Sequence, residues 1–102
     1  MKFGNKRHNF LKKRGFSEIV EIKCHYLKIL SMFFEDALIG LKPFEIRLND
    51  RDFQVGDLVW LLEIESGKYT GRMIFGKITY MTDYEQKDDY VVFTYETLGI
   101  IK

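Results

Sequence analysis

The stretch "GLKPFEIR", residues 40 to 47, sets an ammonium, a carboxylate and a guanidinium close together at Lys42, Glu45 and Arg47. Lys42 could act as a point charge on a phosphate or as a general base. Arg47 could offer a planar donor fork to a phosphate or to the edge of a nucleobase. Glu45 could orient either cation or accept a hydrogen bond from an exocyclic amine. On an open solvent face the same charges would form a surface ion pair of little energetic consequence. Their chemistry therefore depends on whether the fold sets them in a hollow.

The neighbouring residues indicate how they are held. Pro43 cannot continue a helix and biases Lys42 toward extended backbone. "FEIRL" then alternates as a strand, with Phe44, Ile46 and Leu48 on one face and Glu45 and Arg47 on the other. The apolar trio is expected to fill the core, and the ionic pair to face a hollow beside a preceding helix. That helix is expected over residues 32–39, with Ser31 as N-cap, Glu35 and Asp36 in its early turns, and Gly40 as the C′ residue.

Strand patterning covers most of the remaining chain. "KCHYLKIL" (23–30) alternates, and a short helix or strand is possible near 16–22. "NDRD" is a turn, in which Arg51 and Asp52 are expected to pair locally. "LVWLLEIE" (58–65) is apolar on both faces, as in a central strand or barrel stave, and Trp60 is read as core. "SGK" turns into a return strand, "RMIFGKITYM", whose mid-strand Gly76 suggests a bulge. "TDYEQKDD" is a polar loop, and "YVVFTYETLGII" is the last strand.

Composition fits this picture. A chain of 102 residues is one domain by length. Its 46% hydrophobic and 30% charged residues are ordinary for a globular protein, while nine Phe and six Tyr favour a β-rich core. Cys24 is the single cysteine and cannot form an internal disulfide. The basic start lacks the apolar stretch of a signal peptide, and no segment reaches the roughly 18 apolar residues of a membrane span. A soluble cytoplasmic protein is expected. The net charge of +1 conceals an asymmetry. Residues 1–14 carry Lys2, Lys6, Arg7, Lys12, Lys13 and Arg14 and no acid, whereas the rest holds ten Lys and Arg against fifteen Asp and Glu. A basic arm, suited to phosphates or simply solvated, precedes an acidic body. His8, His25 and Cys24 lack metal-ligand spacing, and His25 is expected to pack as an ordinary residue.

"GLKPFEIR" resembles the G-x-K-x-x-E-x-R signature of ASCH domains, the activating-signal-cointegrator homology group of the PUA-like superfamily. "NDRDFQVGD", "YTGR" and "QKDDYVVF" resemble a bacterial and phage branch of that group. The likeness runs from about His25 to Ile101. It implies a pseudo-barrel with a helix beside it, and a cleft between them where Lys42, Glu45 and Arg47 meet a nucleic-acid ligand. Members of the superfamily bind RNA, some read modified bases, and a few ASCH proteins hydrolyse modified cytidine or cut RNA. In the amidohydrolase-type members a threonine stands where this chain has Glu45, and a carboxylate cannot take a hydroxyl's role as donor and nucleophile. A downstream catalytic carboxylate would correspond to Glu63 or Asp83.

The sequence is thus expected to fold as a mixed, β-rich (α+β) domain: a small PUA-like pseudo-β-barrel of five to six strands with one or two short helices over residues 23–102, after a basic extension at 1–22. The expected function is an RNA-binding module holding RNA, a nucleotide or a modified base through Lys42, Glu45, Arg47 and Arg51. The alternatives are a hydrolase of modified nucleosides or a ribonuclease using Lys42 and Glu45, and a protein-interaction module. No cofactor, metal or membrane is expected, and a monomer is favoured.

Overall fold

Turn chemistry organises the sheet. In the computed structural model, which describes residues 6–11 and 19–102 with side chains from residue 21 onward, the chain forms six strands and one helix. These are β1 (Lys6–Leu11), β2 (Ile19–Leu30), α1 (Ser31–Leu38), β3 (Phe44–Leu48), β4 (Leu58–Glu65), β5 (Lys68–Thr82) and β6 (Tyr90–Ile101). Ser66 and Gly67 both adopt positive φ, 51° and 77°, the left-handed pair that lets a two-residue loop follow the twist of β4 and β5. The strand order is β1-β2-β4-β5-β6-β3. Only β2 and β4 run parallel, and the crossover that a parallel pair requires contains α1 and β3.

The inner face of the sheet carries Leu27 and Ile29 on β2, Val59 and Leu61 on β4, Ile74 and Ile78 on β5, and Val91 and Phe93 on β6, all buried. Phe34 of α1 and Phe53 of the β3–β4 loop close over them. Burying each large apolar side chain contributes roughly 1.5–3 kcal/mol, so this layer supplies most of the drive to fold. Gly76 serves the same packing. The register shifts between Phe75 and Gly76, as the mid-strand glycine suggested, and a Cβ at this position would lie 2.9 Å from Cδ2 of Tyr95. The glycine gives the tyrosine ring room to lie against β5.

The hydrogen-bonded order does not close into a ring. Beyond Cys24, which faces Lys6, β2 has no β1 partner among the described residues, and β3 forms the opposite end of the sheet. Arg47 Nη2 nonetheless donates to the Lys28 carbonyl at 2.7 Å, and Arg51 Nη1 donates to the Tyr26 carbonyl at 2.6 Å. Carbonyls two residues apart emerge on the same strand edge. The sheet therefore curls until β3 faces the bare edge of β2, and two arginines join the seam in place of a ladder.

Four details differ from the sequence reading. First, β2 begins at Ile19 and crosses the expected boundary at residue 22, while β1 brings Lys6–Leu11 into the sheet; residues 1–5 and 12–18 of the expected extension lie outside the described residues. Second, Ser31 is the first helical residue rather than the cap, because its hydroxyl donates to the buried Glu63 at 2.6 Å. Third, Trp60 sits half-buried on the outer face of the sheet, stacked on Phe75 at 4.5 Å, because the core-facing positions of β4 are taken by Val59 and Leu61. Fourth, Asp52 is engaged by Lys23 at 3.3 Å, while Arg51 reaches across to β2.

Candidate functional site

The cleft is built from the end of α1. Gly40, with φ of 83°, follows the helix as C′; its N–H reaches the Ala37 carbonyl at 3.2 Å, and the N–H of Leu41 reaches that of Asp36 at 2.9 Å. This pair of bonds is the Schellman arrangement, which a left-handed glycine permits. The N–H of Lys42 shares the Asp36 carbonyl at 3.1 Å, so the chain is reversed before Pro43 feeds it into β3. β3 then pairs with β6, Glu45 opposite Phe93 and Arg47 opposite Val91.

β3 turns its ionic face inward, and this overturns the expectation that its apolar trio fills the core. Phe44, Ile46 and Leu48 are 36%, 54% and 45% exposed, whereas Glu45 is 2% exposed. The physical reason lies in the partners of the carboxylate. Arg47 donates to Glu45 Oε1 through Nε at 2.9 Å and Nη2 at 2.6 Å, and Lys42 Nζ donates to Oε2. A carboxylate so compensated can be buried, whereas one without partners could not. Lys42 Nζ also donates to the Phe44 carbonyl at 2.9 Å and lies 5.7 Å and 5.1 Å from the ring centres of Phe33 and Phe44.

Beneath this group, Tyr95 OH donates to the Lys42 carbonyl at 3.4 Å. Burial, helped by the nearby charge of Glu45, pushes the Tyr95 phenol up to about 12. It stays a neutral donor at physiological pH and fastens the loop from inside.

Between α1, the seam edge of β2 and β3 lies a cleft of about 660 Å³. Lys42, Glu45 and Arg47 line it with Lys28 and Leu30 of β2, Phe33 and Asp36 of α1, Leu41, and Phe44 and Ile46 of β3. Its walls are largely apolar and aromatic, and its charges are concentrated where the three signature residues meet. The carboxylate of Asp36 has no hydrogen bond or ion pair among the described residues.

Of the four expected binding residues, the structure brings Lys42, Glu45 and Arg47 together at this cleft. Arg51 lies further along the seam, on the Tyr26 carbonyl, and is not part of the lining. The two candidate downstream carboxylates are elsewhere. Glu63 is buried in a separate cluster, where it accepts from Ser31 and Thr70 at 2.6 Å and from Arg72 Nε and Nη2 at 2.7 Å. Arg72 and the two hydroxyls hold its carboxyl down at about 2, against the opposing effect of burial. Arg72 also bonds Glu35, so the cluster ties α1 to the sheet. Asp83 belongs to the acidic loop before β6, beside Asp88 and Asp89.

His25 is buried, as a packed residue should be, but within a polar group: its Nε2 meets Asp57 Oδ2 at 2.7 Å, and Lys23 lies 3.7 Å from the same oxygen. Burial lowers its pKa below 6.5, against the opposing pull of Asp57. No group of three or more His, Cys, Asp or Glu suited to a metal ion occurs among the described residues. Sequence reasoning missed Phe33, Asp36 and Tyr95 as parts of the site. The i, i+3 spacing of Phe33 and Asp36 places them on one helical face, a signal that was available; the reach of Tyr95 to Lys42 left no local signal.

With the cleft described, comparison with other proteins decides kinship. The profile of the family described as "Domain of unknown function (DUF3850)" matches residues 24–95. The chain belongs to the DUF3850 family. The DUF3850 region spans Cys24 to Tyr95 and so contains all the cleft residues named above, while the basic run at the start lies outside it. A relative in Escherichia phage P2, an "Uncharacterized 12.9 kDa protein in GpA 3'region", is 37% identical over 71 residues, 69% of this chain. The chain spans 65% of that protein's length, just under two-thirds. The expected phage kinship is met by this relative. No helix among the described residues is long and apolar enough to cross a membrane.

Proposed function

We propose that this chain is an RNA-binding module of the PUA-like type, related to ASCH domains, that holds a nucleotide or an unstacked base of RNA in the cleft between α1 and β3. One observation carries the reading: Lys42, Glu45 and Arg47, the three residues of the ASCH-like signature, form a single hydrogen-bonded group at the floor of a cleft walled by Phe33 and Phe44. A flat aromatic base suits apolar and phenyl walls, and stacking on an aromatic side chain contributes about 1–3 kcal/mol per base. β1, which carries Lys6 and Arg7 of the basic run, pairs with β2, and the positive charge of residues 1–14 adds sequence-independent affinity for the backbone.

The test is fluorescence anisotropy with single-stranded oligoribonucleotides, comparing the native chain with Phe33→Ala. Phe33 is 39% exposed, so its truncation spares the fold. The expected result is a loss of affinity of about 5- to 160-fold, from the stacking range above. Unchanged binding by the variant, or no binding by the native chain, removes the proposal.

A hydrolase reading uses the same cleft and is favoured by the contact of Lys42 Nζ with Glu45. In it Glu45 orients the lysine, which acts on a modified nucleoside or on RNA. Incubation with N4-acylated cytidines and with RNA, beside a Lys42→Ala control, decides it: turnover no greater than the control's excludes catalysis.

A further inference from the structure

We infer that among purines the cleft selects guanine over adenine, an inference that rests on the nucleotide reading above and narrows it. The argument comes from counting which hydrogen-bonding groups at the cleft remain available. Glu45, the obvious acceptor, is already occupied: Oε1 takes two bonds from Arg47, and Oε2 takes one from Lys42. Oε2 has room for one more bond, but the Glu45 side chain is only 3% exposed and offers a ligand little access to it. An ammonium has three donors, and Lys42 uses two of them, on Glu45 and on the Phe44 carbonyl. A guanidinium has five, and Arg47 commits Nε and Nη2, leaving Nη1 without a hydrogen bond among the described residues. What the floor presents to a ligand is thus mainly donors.

A ring that meets this floor must bring acceptors. Guanine carries two adjacent ones, O6 and N7, which lysine and arginine side chains engage in nucleic-acid recognition. Adenine places its N6 amine beside N7 and would set a donor against donors. The opposite edge of guanine, N1–H and the N2 amine, needs an acceptor. Asp36 provides one from the α1 wall, exposed and without a side-chain hydrogen bond or ion pair among the described residues. Lys28, on the β2 side of the cleft, is placed to meet a phosphate. Phe33 and Phe44 supply the apolar surface for the ring faces.

The experiment is isothermal titration of the full chain with GMP, IMP, AMP and 7-deaza-GMP, repeated with Asp36→Asn. GMP is expected to bind on the order of tenfold or more tightly than AMP, the lower part of the range for a paired two-point base contact. 7-Deaza-GMP, which lacks the N7 acceptor, and IMP, which lacks the N2 amine, should each fall between them. Asp36→Asn should reduce the preference of GMP over IMP and leave AMP unchanged; because the side chain is exposed and unbonded, folding is unaffected. Equal binding of GMP and AMP overturns the guanine assignment while leaving a nucleotide cleft in place. Absence of binding by all four nucleotides and by RNA overturns both.

Discussion

Arg47 uses a single nitrogen, Nη2, to join two strands: it lies 2.6 Å from Glu45 Oε1 on its own strand and 2.7 Å from the Lys28 carbonyl on β2. The residue that completes the site therefore also holds the sheet seam together. A substitution at this position therefore tests the seam and the proposed binding at once.

That dual role sets the first expectation. Arg47→Ala leaves the Lys28 carbonyl without this donor and the buried Glu45 with Lys42 as its only cation, which should cost about 2–4 kcal/mol. Replacing both members of the pair, Glu45→Leu with Arg47→Leu, should cost less than Arg47→Ala alone, because the deeply buried carboxylate leaves with its partner and Lys42, 19% exposed, keeps the Phe44 carbonyl. Urea unfolding of the single and double variants measures both. A double variant less stable than Arg47→Ala would contradict this account of the pair.

Gly76 is the second. Its Cβ would meet Tyr95 Cδ2 at 2.9 Å and the Glu96 carbonyl at 3.0 Å, and the carbonyl belongs to backbone that cannot swing aside. Gly76→Ala should destabilise by about 1–3 kcal/mol through overpacking. It should also weaken ligand binding, because the displaced ring is the one whose hydroxyl reaches the Lys42 carbonyl. Thermal unfolding and anisotropy together check both effects.

The third concerns acid. The Glu63 carboxyl is held at about 2 when folded, against roughly 4.3 when unfolded, so its stabilising effect is present above the unfolded value and is lost as pH falls toward 2. His25 is lowered from 6.5 by burial, with Asp57, Lys23 and Arg51 as its charged neighbours. The unfolded chain then binds more protons below 6.5, and stability declines from that point downward. A plot of Tm against pH should fall in two stages. His25→Gln should flatten the upper stage and Glu63→Gln the lower, the latter with a loss of about 2–4 kcal/mol at neutral pH from weakened charge-assisted bonds. A single transition unaffected by either change would refute the assignment.

A gain in stability is expected at the β4–β5 turn. Ser66 holds φ of 51° ahead of Gly67, a position where asparagine is favoured because its side chain tolerates left-handed backbone. Ser66→Asn should stabilise by a few tenths of a kcal/mol to about 1 kcal/mol, read from the urea midpoint with an unchanged slope.

Much of the fold was legible because its signals are local. The Gly40 end of α1, the Ser66–Gly67 turn, the Gly76 bulge and the alternation of β3 each follow from a few adjacent residues. The inward face of β3 was not legible from that alternation. A period of two separates Phe44, Ile46 and Leu48 from Glu45 and Arg47, but hydrophobicity alone assigns the apolar set to the interior. The carboxylate occupies that position because Lys42 and Arg47 neutralise it, and Lys42 reaches it only through the reversal after α1. Trp60 failed for a related reason: a strand apolar on both faces does not reveal which face lies under the helix. The candidate site itself was visible as a motif and the helical spacing of Phe33 and Asp36 was there to be read, whereas Tyr95 joins it by a tertiary route that leaves no pattern along the chain.

The pairing of β3 with β6 rather than with a sequence neighbour has a consequence for how the protein comes into being. The signature loop precedes its strand partner by some forty residues, so β3 has the edge of β2 to lie against but no ladder to join until β6 is made. During translation β3 stays without its ladder while β2, β4 and β5 can already begin to associate. The cleft wall that β3 forms is therefore completed last, and a product truncated before Tyr90 would lack its ladder however much of the sheet had formed.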